Sequence, residues 1–96
     1  MFLFTFNAIP TSSNRCNYLG AIINCWVNFK DFEGARFIAH KFLESQGWLI
    51  KVEEEEPIIV FYKLLPIRKI SKIKNRCYNI ANETGLSYLC ITYNEE

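Results

Sequence analysis

The chain has one histidine, one methionine and almost no net charge: 96 residues carry 11 Lys+Arg against 10 Asp+Glu, a formal +1. Each shortage excludes something. The single histidine, His40, leaves little room for Ser–His or Cys–His nucleophilic catalysis. The balanced charge gives no bulk field for attracting nucleic acid. Cys16, Cys25, Cys77 and Cys90 include no C-x-x-C pair, and His40 is distant from all of them. A zinc site would need its ligands from separate elements, so the expectation is buried thiols, no metal and no cofactor. No apolar run approaches the ~20 residues of a membrane span. The apolar first ten residues lack a basic flank and a small-residue cleavage site. The expectation is a soluble cytoplasmic protein without membrane contact. Abundant Ile, Asn and Lys suggest an AT-rich genome of bacterial type.

What is present is apolar. Half the residues are hydrophobic and 16% are aromatic, which excludes intrinsic disorder. The length fits one domain, which buries roughly 60–70% of its unfolded surface. Surplus apolar surface is then expected to mark a contact site.

Phe2, Phe4 and Phe6 alternate with Leu3, Thr5 and Asn7, the period of a half-buried strand. Residues 10–17 read as a loop. In a second strand over 21–29, Ala21, Ile23, Cys25, Val27 and Phe29 form the core face, and Ile22, Asn24, Trp26 and Asn28 the other. Asp31 is placed to cap a helix in which Phe32, Ala35, Ile38, Ala39, Phe42 and Leu43 make one stripe, ended by Gly47. A third strand covers 48–53. The glutamates at 53–56 and Pro57 predict a turn, and 58–65 a further strand, with a helix as the competing reading. Pro66 suits a helix start. Ile70, Ile73, Cys77, Ile80, Ala81 and Thr84 then share a face up to Gly85, and 86–93 is the last strand.

Setting the first strand aside, this order is βαββαβ. It resembles the ferredoxin-like plan, an α+β two-layer sandwich with an antiparallel sheet and two helices on one face, here with an extra N-terminal strand at the sheet edge. The resemblance covers residues 21–93 and rests on element order, so it implies a fold and no function. Metallochaperones of this plan need paired thiols before the first helix, where this chain has Asn28, Phe29, Lys30 and Asp31. Acylphosphatases need an anion-cradling loop, and no Gly-rich cradle accompanies Arg15. RNA-recognition domains stack bases on sheet aromatics. Trp26 and Tyr88 are the candidates here, beside glutamates that repel phosphate.

The expected function is a non-catalytic binding or regulatory module that self-associates as a homo-oligomer, through an open sheet face or an edge strand. Its contact candidates are Ile22, Trp26 and Phe37. The first alternative is a nucleic-acid binder using Arg68, Lys69, Lys72 and Arg76 on the second helix. The second is a small enzyme using Cys16, Asn24 or Asn28. His40 is expected to pair with Glu44 at i,i+4.

Overall fold

A computed structural model of the chain describes residues 1–12, 14, 18–59 and 72–93, with 54–59 as backbone alone. The elements are β1 (Phe2–Pro10), β2 (Gly20–Val27), α1 (Phe32–Ser45), β3 (Trp48–Ile59), α2 (Lys72–Thr84) and β4 (Leu86–Tyr93). The four strands form one sheet in the order β3-β1-β2-β4. Every neighbouring pair is antiparallel.

The α+β class, the antiparallel sheet and the two helices match the sequence reading; the strand order and the layering do not. β1 is a central strand, not an added edge. It pairs with β2 through Phe2↔Val27 to Ala8↔Ala21 and with β3 on its other side. Period-two alternation reports which face is buried and says nothing about whether a strand is central, because both cases send alternate side chains to the core.

The helices lie on opposite faces of the sheet. Phe4, Phe6 and Ala8 of β1, with Ala21, Ile23, Cys25 and Val27 of β2, share a core with Ala35, Ala39 and Leu43 of α1. The intervening residues Leu3 and Trp26 share a second core with Cys77, Tyr78 and Ala81 of α2. Leu3 and Trp26 are register partners, as are Phe4 and Cys25. Successive side chains in a strand point to opposite faces, so the two cores sit on opposite sides of one sheet.

Local signals explain the helix ends. The Asp31 carboxylate accepts the Gly34 N–H at 2.7 Å and caps α1. Gly47, at φ +85°, turns the chain out of α1, and Gly85, at φ +98°, leads out of α2 into β4. Both are left-handed positions where a Cβ would strain the backbone.

The glutamates at 53–56 and Pro57 lie inside β3, correcting the expected turn. β3 is an edge strand, so one side of its backbone faces away from the sheet and a proline there breaks no ladder. The Arg36 Nε lies 3.3 Å from Glu53 Oε1, and His40 Nε2 lies 3.9 Å from the same oxygen. Three register shifts against β1 absorb the irregularity. Of the expected strand at 58–65, residues 58 and 59 belong to β3 and the rest lie outside the described residues.

Candidate contact surface

The face expected to be open is covered at the end that carries its main residue. Trp26 is 0% exposed, under α2. It is a core residue and not a contact residue. Its indole Nε1 is buried without a hydrogen-bond partner. Ile22 is on the same face and only partly buried. Phe37 is 63% exposed on the outer side of α1, with the Lys41 ammonium 5.7 Å from its ring centroid.

Beyond α2, this face continues as a half-open apolar surface. Ile91 pairs with Ile22, which also pairs with Asn7, and Asn7 pairs with Val52; Leu49 pairs with Ile9. Ile91 is 55% exposed, and Leu49, Val52 and Tyr93 are exposed too. The Tyr93 hydroxyl donates to Asn7 Oδ1 at 2.8 Å, crossing over β2. Gly20 makes room for that crossing, because a Cβ there would lie 2.7 Å from Tyr93 Cζ. The Thr5 hydroxyl donates to Asn24 Oδ1 at 2.8 Å on the same face, so the middle of the sheet is tied by polar pairs.

The two edges of the sheet differ in chemistry. β3 carries Lys51, four glutamates, Pro57 and three shifts in register, the features that keep an edge from pairing. β4 reads Leu86, Ser87, Tyr88, Leu89, Cys90, Ile91, Thr92, Tyr93, with no charge and no proline. Among the described residues it is the last strand on its side. Tyr88 pairs with Cys25 and packs on Phe42 at 5.2 Å between centroids. It therefore lies on the α1 face and does not join Trp26 in a base-stacking platform.

The basic set divides. Lys72 and Arg76 are exposed on α2, while Arg68 and Lys69 lie outside the described residues. The buried stripe of α2 is Cys77, Tyr78 and Ala81. Ile73 and Ile80, expected in the core, are exposed at 58% and 42%. Tyr78, on the other flank of the stripe, takes the buried place in the cluster that holds Trp26.

Of the residues weighed for catalysis, the two that are described, Asn24 and Asn28, form no catalytic arrangement with each other. Cys16 lies outside the described residues, Asn24 is held by Thr5, and the Asn28 N–H donates to the Gly85 carbonyl at 2.9 Å beyond the end of β2. Burial pushes the Cys25 thiol up to about 12. It also raises Cys77, although the Arg76 charge and a hydrogen bond with Ser87 pull the other way. Both thiols are protonated and unreactive at neutral pH. His40 faces Glu53 instead of Glu44, whose cation neighbour is Lys41 at 3.9 Å. Glu33, Arg36, Phe37, His40, Lys41 and Glu44 line an open depression along α1. Among the described residues no helix is long and apolar enough to cross a membrane, and no group of three or more His, Cys, Asp or Glu is placed to hold a metal ion. Comparison of the chain with known protein families, curated proteins and solved structures finds no match.

The edge residues were legible in part. The uncharged run over 86–93 and the glutamates at 53–56 are both visible in the sequence. Their meaning depended on knowing that these two strands are the edges.

Proposed function

We propose that this protein is a non-catalytic contact module that self-associates through the outer edge of β4, the last strand on its side among the described residues. The observation that carries this reading is the contrast between the edges: β3 is charged, proline-bearing and irregular, whereas β4 offers eight uncharged residues. An unpaired strand presents a row of N–H and C=O groups that another strand can satisfy. A symmetric pair of β4 strands uses the same patch on both subunits and closes into a dimer. The exposed Tyr88 and Ile91, on the two faces of that strand, supply apolar cover to either side of the new ladder.

Sedimentation equilibrium tests this. The expected mass is twice the 11.3 kDa of one chain. Ile91→Lys or Tyr88→Lys should return the mass to that of one chain without changing the circular dichroism spectrum. A wild-type chain that stays monomeric as its concentration is raised overturns the proposal. If that monomer also binds RNA or DNA at low salt, the basic side of α2 becomes the functional surface.

A further inference from the structure

Resting on that association reading, we infer that the second copy of this chain is held in two layers at once. β4 pairs with β4 in the sheet, and α2 packs on the partner's α2 above it through Ile73, Arg76, Ile80 and Glu83. These four residues recur at spacings of three, four and three, the spacing of a helix-packing seam. Ile73 and Ile80 are two of the exposed large apolar residues, and the α2 core accounts for neither.

The topology aims this flank at the edge. β2–α1–β3 joins parallel strands and takes the right-handed crossover that such units adopt. Viewed from the α2 side with β4 running upwards, β4 is then the left-hand strand. Only Gly85 separates α2 from β4, so the helix runs downwards over it. In a right-handed helix with that direction, Tyr78 turns inwards over β2 and β1. Ile73 and Ile80 turn outwards past β4. Tyr78 does share its core with Leu3 and Trp26 of those inner strands.

The dimensions agree. Paired strands lie about 4.8 Å apart. Each α2 sits inward of its own β4, so the two helix axes fall about 10 Å apart, within packing distance. A two-fold axis between Asn79 and Ile80 lies about 7 Å from the end of α2 at 1.5 Å per residue. The same distance along β4 from Leu86 reaches Tyr88 at about 3.3 Å per residue, so helix and strand can share one axis. That axis brings Ile80 against its own copy. It also sets Arg76 beside the partner's Glu83, and Glu83 beside the partner's Arg76, so the flank is self-complementary in charge as well as in shape.

Charge reversal reads this contact directly. Within one helix Arg76 and Glu83 are two turns apart, about 10 Å, too far to pair with each other. Arg76→Glu alone and Glu83→Arg alone should each raise the dimer dissociation constant about tenfold or more. An equimolar mixture of the two variants should recover dimers, because both cross-contacts then become attractive. Ile73→Lys with Ile80→Lys should weaken association by a similar factor while the unfolding midpoint of the monomer holds. A wild-type dimer whose dissociation constant ignores all four substitutions overturns the α2 contact and leaves the β4 proposal standing. A monomeric wild type overturns the association itself.

Discussion

Trp26 shows how a single side chain changes meaning with its surroundings. On a strand read alone it is a large apolar residue on the face away from the main core. In the fold it is the centre of a second core, with Leu3, Leu89, Cys77, Tyr78 and Ala81 about it. Trp26→Ala should therefore cost about 3–5 kcal/mol in denaturant unfolding, and it would report on folding and not on association. Trp26→Phe should cost clearly less, because it removes a buried N–H that has no acceptor. Equal losses for the two variants would argue against this packing. Cys25 makes a separate prediction. Its thiol titrates near 9.0 in an unfolded chain and at about 12 when buried. Between those values the unfolded chain has lost the proton and the folded chain keeps it. Stability then falls as pH rises, by up to about 1.4 kcal/mol per pH unit. The slope should be shallower in Cys25→Ala, and an unchanged slope would refute the assignment.

At the level of the element, α1 was the most legible part of the sequence. A capping Asp31, an apolar stripe at helical spacing and a terminal Gly47 agree with one another, and each does its expected work. Asp31→Ala should destabilise the protein by about 1 kcal/mol, visible as a lower midpoint in thermal unfolding. Asp31→Asn should retain most of the stability, since an amide oxygen also accepts the Gly34 N–H. β3 was the least legible. Four consecutive glutamates next to a proline predict a turn when repulsion and the missing donor are weighed locally. Placing that segment at the sheet edge removes the objection of the missing donor, and Arg36 reaches Glu53, the first of the four carboxylates. α2 lies between these cases: Cys77 and Ala81 were read to the core correctly, whereas Ile73 and Ile80 were not. A helical repeat defines a stripe only to within its flanks, and Tyr78 on one flank won the core from the isoleucines on the other.

For the whole molecule, the balanced net charge conceals a directional surface. Acid is concentrated on the β3 edge, the β4 edge is neutral, and Lys72 and Arg76 stand exposed on α2. Association through backbone pairing and apolar cover makes thermal unfolding depend on protein concentration, because the dimer is stabilised by mass action. Scanning calorimetry should show the midpoint rising as concentration is increased tenfold. Moderate salt should weaken the assembly far less than it weakens phosphate contacts, whose affinity falls steeply with ionic strength. A midpoint independent of concentration would speak for a monomer.

By itself the sequence determined the mixed α+β class, the strand and helix periods and the capped ends of α1. All of these depend on chemistry within a few residues. Only the tertiary structure decided that β1 is central, that the helices cover opposite faces, that Trp26 is buried, and that β3 and β4 are the edges. Those outcomes follow from which strands lie side by side. The repeat of a strand is the same at the centre and at the edge, and the repeat of an amphipathic helix is the same above the sheet and below it. Local pattern therefore showed the uncharged run that became β4, but not that this strand is an edge, on which the proposed function depends.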